Sequence, residues 1–279
     1  MYTSADLTAE LVRSTIPIPC HSHNDYWRKV PVFSALHVGC IGIEADVWLA
    51  DDDLYVGHIQ SSLRPNRTFS KLYIEPLTRI IEAQNGPNDP LSSSSRGVYD
   101  MDSSQTLVLL IDLKTGAKET WPYVMKQLEP LRKKGWLSFV EDGTVTHRAV
   151  TVVATGNSEF GMVSQNATYR DVFFDAPLEA LEASPYDSTN SYYTSVSFKQ
   201  TVGLVRFGRL SDGQVGTIRK QVAQAHSLGL KARYWGLPAW PISVRNHVWE
   251  VLQREGVDIL NVDDLKGARE FLGHSSTTQ

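Results

Sequence analysis

The chain has 279 residues, 42% of them hydrophobic and 21% charged, enough for a sizeable core and far from a disordered composition. Its formal net charge of -4 comes with Lys and Arg scattered along the sequence, which excludes the basic stripe of a nucleic-acid binder. No apolar run is long enough to cross a bilayer, so no integral membrane segment is expected.

The N-terminal MYTSADLTAELVRS lacks the basic-then-apolar order of a secretory leader, which makes a soluble, cytoplasmic protein the expectation. Cys20 and Cys40 are too few for a disulfide framework, and a reducing compartment would keep both as thiols. The triplets at Asn66 and Asn166 match the glycosylation sequon but read as chance occurrences. Nothing in the sequence speaks to oligomeric state.

Eight short β-rich runs then follow one another: residues 16–22, 41–49, 106–114, 148–155, 170–176, 192–198, 230–236 and 257–263. Helical patterns lie between them, among them ETWPYVMKQLEPLRKKG, QVGTIRKQVAQAHSLG and SVRNHVWEVLQREG. Alternating strands and helices in this number predict one α/β domain over residues 1–279, a single (β/α)8 TIM barrel. Residues 85–104, rich in Ser, Gly, Pro, Asn and Asp, read as a long loop before the third strand.

In such a barrel chemistry collects at the C-terminal ends of the strands, where residues two apart share a face. That places His21 and His23 after strand 1, Glu44 and Asp46 after strand 2, and Asp112 and Lys114 after strand 3. Three carboxylates from neighbouring strands repel one another unless a cation sits among them, and hard oxygen donors favour Mg²⁺ or Ca²⁺. The segment DDDLYVGH reads as a tight turn and a short β-arm that returns His58 to the same rim. His37, His147, His226 and His247 lie on helical patterns or beside a strand start and read as structural. Cys20, one position before His21, should face the helices outside the barrel.

HSHNDYW, GIEADVWL followed by VGH, LLIDLKT and GVDILNVDDL together resemble the fungal branch of the phospholipase-C-like phosphodiesterase superfamily, which includes the "altered inheritance of mitochondria" family six. More distantly the chain is similar to glycerophosphodiester phosphodiesterases and sphingomyelinase D, and its His-Asn pair resembles that of the phosphoinositide phospholipases C. The resemblance implies a barrel in which a histidine after strand 1, His23 or His21, and His58 act as general acid and base. It implies Glu44, Asp46 and Asp112 as metal ligands with Asn24 as a candidate fourth, and Lys114 as a phosphate contact. Arg233 and Trp235 of RYWGLP and Asn261 of the last strand join Lys114 as candidate substrate contacts. Where the resemblance leads one to expect Arg-Tyr-Trp-Asp-Thr-Pro, this chain has Gly236 and Leu237 in place of the polar pair, which removes a carboxylate from the rim.

The expected activity is therefore metal-dependent hydrolysis of a phosphodiester, with an anionic small molecule as partner and paired histidines moving the protons. A metal-dependent lyase, isomerase or cyclase of small-molecule biosynthesis is the alternative on the same barrel. A noncatalytic binding barrel ranks third, because every acid or base position carries a competent residue.

Overall fold

The computed structural model describes Val12 and residues 14–85 and 96–273, and within them all eight expected strands form. Numbering all strands in chain order, these are β1 (Ile18–Ser22), β2 (Cys40–Ala50), β4 (Leu107–Leu113), β7 (Val150–Gly156), β9 (Val172–Pro177), β10 (Ser191–Ser197), β11 (Lys231–Trp235) and β12 (Ile259–Val262). Each pairs in parallel with the next, and β1 pairs with both β12 and β2, which closes the barrel. The expected arm also forms: β3 (Asp53–Val56) runs antiparallel to β2 after the turn at Asp51 and Asp52.

Strand alternation divides the core in two. On β4, Leu107, Leu109, Ile111 and Leu113 join the large apolar layer beneath the helices, whereas Val108 and Leu110 face inward with Val153, Phe173, Tyr193 and Ile259. One step nearer the C-terminal end the same inward face turns polar, at Asp112, Asp175, Ser195 and Asn261. The lower barrel is thus filled with hydrocarbon and its upper end is left for chemistry.

The helices keep to the expected segments with one break. The run at 119–135 divides into Ala117–Gln127 and Glu129–Lys133, with a proline in each part. Helix Asp212–Ser227 starts at Ser211, whose hydroxyl accepts from the Gln214 N–H while the Gln214 side chain accepts from the Ser211 N–H. Residues 86–95 of the expected long loop lie outside the described residues. Its base is tied by Asn85, which both donates to the Arg96 carbonyl and accepts from the Arg96 N–H.

Two features depart from expectation. A small antiparallel sheet of β5 (Phe139–Glu141), β6 (Thr144–Thr146) and β8 (Tyr169–Arg170) covers the N-terminal end of the barrel, where Val140 enters the inner apolar cluster. The cysteines are not thiols: Cys20 and Cys40 form a disulfide. The expectation weighed number and compartment but not adjacency. Parallel pairing of the consecutive strands β1 and β2 sets Ile18 opposite Cys40, so the outward Cys20 comes to lie beside it with the two Cα atoms 4.7 Å apart.

Candidate active site

β2 and β4 run side by side with Asp46 opposite Asp112, and a carboxylate oxygen from each of Glu44, Asp46 and Asp112 falls within 4.8 Å of the others. Lys114 Nζ lies 2.7 Å from Asp112 Oδ2 and 3.0 Å from Asp46 Oδ2. Burial first, then the charge of Glu44, pushes the Asp46 carboxyl up to about 6 against the pull of Lys114. Burial also raises Asp112. Burial alone would raise Glu44 as well, but His21 at 3.7 Å and the guanidinium of Arg233 at 3.3 Å hold it below the usual carboxylate range.

The residues fit a divalent cation. Asp46 Oδ1 is buried with no hydrogen-bond partner, and a Cβ at Gly156 would come 2.0 Å from Asp112 Oδ1, so the backbone there leaves space that any side chain would fill. All three donors are hard oxygens.

The histidines occupy three different environments. His21 is wholly enclosed, and burial lowers its imidazole to about 4. Only glycine at position 42 permits this, since a Cβ there would meet His21 Nδ1 at 2.2 Å. His23 stands higher, a quarter exposed, with Nδ1 2.8 Å from Asp263 Oδ1. Burial pulls its pKa down, but the Asp263 hydrogen bond and the charges of Glu44 and Asp263 outweigh it, and the net direction is up. His58, half exposed, is delivered by the β3 arm, which is fastened by Gly57 N–H to the Asp46 carbonyl and by Trp48 Nε1 to the Gly57 carbonyl. Its Nδ1 lies 3.4 Å from Asp46 Oδ2 and 3.2 Å from the Tyr26 hydroxyl, while Trp27 packs on its ring at 5.1 Å.

Tyr26 joins these parts. Its hydroxyl is 2.7 Å from both Asn24 Oδ1 and Asp46 Oδ2. Burial and the neighbouring carboxylates raise its pKa well above the ordinary value, so it stays protonated as a fixed donor. Asn24 is held in the left-handed region at φ 47° and meets the acid cluster through Tyr26 and through its own N–H, 3.4 Å from Glu44 Oε2. Beneath, Asp25 accepts from the Ser22 hydroxyl and the Val32 N–H, which fixes the turn that carries His23 and Asn24.

Across the barrel Arg233 is buried, with Nε on Asn261 Oδ1 at 3.1 Å, Nη2 on Glu44 at 3.3 Å and Nη1 3.9 Å from Asp175. Asn261 therefore orients Arg233. Trp235, two residues on, is 40% exposed at the rim.

The chain matches the AIM6-like phosphodiesterase domain over residues 9–175, more than half its length and the part that carries every histidine and acid of the candidate site except Asp263. The chain belongs to the AIM6-like phosphodiesterase family. It is 40% identical over 273 residues to the "Altered inheritance of mitochondria protein 6 homolog" of Arthroderma benhamiae, an alignment covering 94% of this chain and 86% of that one. It is 36% identical to "Altered inheritance of mitochondria protein 6" of Eremothecium gossypii, covering 90% and 68%. Among solved structures, a glycerophosphoryl diester phosphodiesterase from Parabacteroides distasonis superposes with a TM-score of 0.52 over 98% of this chain and 93% of that one. At 13% identity that likeness shows the TIM-barrel fold.

In this AIM6-like barrel the structure brings Glu44, Asp46, Asp112 and Lys114 into one cluster, sets His58 and Asn24 against it through Tyr26, and buries His21 below. Sequence reasoning missed Tyr26, Asp263, Asp175 and Ser195, whose hydroxyl donates to Asp175 at 2.6 Å. Asp175 carried the same signal as Asp112, an acid on the inward face of an apolar strand. Tyr26 stood inside the HSHNDYW motif but follows the strand, where alternation no longer says which way a side chain points.

Proposed function

We propose that this AIM6-like barrel is a metal-dependent phosphodiesterase acting on a small anionic phosphodiester, with His23 and His58 as its proton carriers. The observation that carries the reading is a cluster of three oxygen donors and a lysine with His58 against Asp46 and a second accessible histidine, His23, oriented by Asp263 at the same end of the barrel. A divalent cation, Mg²⁺ by the hardness of its donors, would be held by Glu44, Asp46 and Asp112 and would supply charge stabilisation to a phosphoryl oxygen.

The chain's own residues do the rest. His23 donates its Nδ1 proton to Asp263, which fixes the tautomer and leaves Nε2 to take or give a proton. His58, its Nδ1 turned to Tyr26 and Asp46, likewise presents Nε2. One accepts the proton of the attacking hydroxyl, and the other protonates the leaving oxygen. Lys114 contributes a positive contact to the phosphate, while Arg233, locked between Asn261 and Glu44, supplies a fixed positive field from below. The absence of a carboxylate at Gly236-Leu237 favours, as second reading, a lyase, isomerase or cyclase on the same residues.

Purified protein, stripped of metal and then reloaded with Mg²⁺, should cleave members of a glycerophosphodiester panel only when reloaded, with mass spectrometry reading the products. Calorimetric Mg²⁺ binding should disappear in Asp46→Asn. Full turnover without metal, or unchanged Mg²⁺ binding in that variant, would reject the reading, and a mass change without phosphate-ester cleavage would select the second.

A further inference from the structure

Eleven large hydrophobic side chains are exposed among the described residues, and their distribution is one-sided. Eight lie at strand ends or in the connections leaving them, on the face that holds the candidate site, and only Ile16, Met101 and Tyr169 lie elsewhere. Patches of this kind on a soluble fold mark an interaction surface.

The most prominent group follows β10 and β11. Phe207 is fully exposed, at 104% of its reference area, and Trp240 is 77% exposed, with Leu204 and Ile242 beside them. These residues share one surface. The turn that carries Phe207 packs on helix Ile242–Arg254, where a Cβ at Gly208 would meet Val244 Cγ2 at 4.0 Å and where Leu210 N–H donates to His247 Nε2.

The backbone gives a second, independent observation. Arg206 and Arg209 bracket a tight turn closed by Arg209 N–H to the Arg206 carbonyl, with Phe207 at φ 51° and Gly208 at φ 74°. Positive φ at both central positions calls for Asn-Gly or Asp-Gly, and a bulky residue there is strained. Folding therefore gains nothing from Phe207: it is strained in conformation and buries no surface. Strain held at an exposed tip points to function.

Charge selects the occupant. Residues 198–211, the connection that leaves β10, carry Lys199, Arg206 and Arg209 and no acid, although the whole chain is net negative. Lys199, Arg206 and Arg209, which border the patch, are exposed and form no ion pair among the described residues. Aromatic side chains interleaved with unpaired arginines match a lipid interface of negative charge, where rings enter the headgroup layer and guanidinium groups meet anionic phosphates.

We infer that the β10–β11 rim is a peripheral docking surface for an anionic lipid bilayer, with Phe207 and Trp240 as its inserted anchors. Docking in this pose turns the mouth of the barrel to the membrane. It rests on the phosphodiesterase reading only in saying that the diester reaching the site is the headgroup linkage of a lipid.

Co-sedimentation of the full chain with phosphatidylcholine vesicles, with and without phosphatidylserine, tests this. Wild type should pellet with the phosphatidylserine vesicles. Phe207→Asn with Trp240→Ser should lower that partition on the order of a hundredfold, the loss of two inserted aromatic side chains. Arg206→Gln with Arg209→Gln should weaken it about fivefold per arginine at low salt, with little effect on phosphatidylcholine alone. Phe207→Asn should leave thermal stability equal or higher, which a structural role for Phe207 would not allow, and both double variants should keep wild-type turnover of a soluble diester. Wild type left in the supernatant, unchanged binding by the aromatic double variant, or concentration-dependent self-association abolished by it would each overturn the proposal. The last outcome would assign the face to a second copy of the chain. Vesicle binding is read without turnover, so failure of docking and failure of the phosphodiesterase reading give different results.

Discussion

His21 and His23 stand two positions apart at the exit of β1, and depth alone gives them different chemistry. His21 is enclosed, with Glu44 3.7 Å from its Nε2 as its polar neighbour, whereas His23 reaches the rim and leans on Asp263. Sequence alternation placed both on the inward face but could not say how far below the rim each sits, because depth depends on Gly42 across the β1–β2 pair. His23→Ala should therefore cost turnover by roughly 10² to 10⁴, and Asp263→Asn, which removes the orienting partner, by about 10 to 100. Steady-state rates check both, and full turnover in His23→Ala would move the role to His21. For His21 the expected signature is in stability. Its folded pKa of about 4 lies below the ordinary 6.5, so its contribution is complete above pH 6.5 and is lost as the pH falls towards 4. The span amounts to roughly 3 kcal/mol. Urea unfolding at stepped pH should show that decline in wild type and a flatter profile in His21→Gln.

At the scale of elements, what was legible was whatever repeats locally. The eight strands are apolar runs with turn residues between them, and the β3 arm is announced by the Asp-rich turn before it. The hairpin of β5 and β6 carried an equally local signal, Asp142-Gly143 at φ 47° and 77°, but sits among short, mixed residues whose apolar member Val140 finds its partners only inside the barrel. The disulfide was hidden for a different reason: the barrel reading made strands 1 and 2 neighbours, but the register that sets Ile18 opposite Cys40 and brings the outward Cys20 beside it is written in neither segment alone. The bridge ties the strand leading to His21 to the strand leading to Glu44. It closes a loop with a sequence separation of 20. Cys20→Ser with Cys40→Ser should cost about 2–4 kcal/mol of unfolding free energy. Thiol titration of the unreduced, denatured wild type should find no free cysteine, and two reactive thiols there would contradict the bridge.

Over the whole molecule, the fold concentrates its unfavourable charges at one end and is held together elsewhere. The apolar layers inside and outside the sheet need nothing from the rim, which is why Glu44, Asp46 and Asp112 can be crowded within 4.8 Å there. The sequence showed the crowding and, in Lys114 beside Asp112, one part of its compensation, but not the rest, because Tyr26 and Arg233 arrive from separate elements. Lys114 offsets only part of the repulsion: burial and Glu44 still push Asp46 up to about 6. A bound cation should therefore stabilise the entire barrel. At a hundredfold excess over Kd the gain is about 2.7 kcal/mol, which for a chain of this size is roughly 5 °C in Tm. Removing one of the crowded charges should act in the opposite sense on the two states. Without metal, Asp46→Asn should melt at or above the wild-type temperature, since the repulsion is relieved. With Mg²⁺ added, wild type should rise and the variant should stay where it was. Paired melting curves with Mg²⁺ and with EDTA check this. A variant that melts well below wild type in EDTA would mean that Asp46 serves the fold through Tyr26 and Lys114 rather than waiting for a cation.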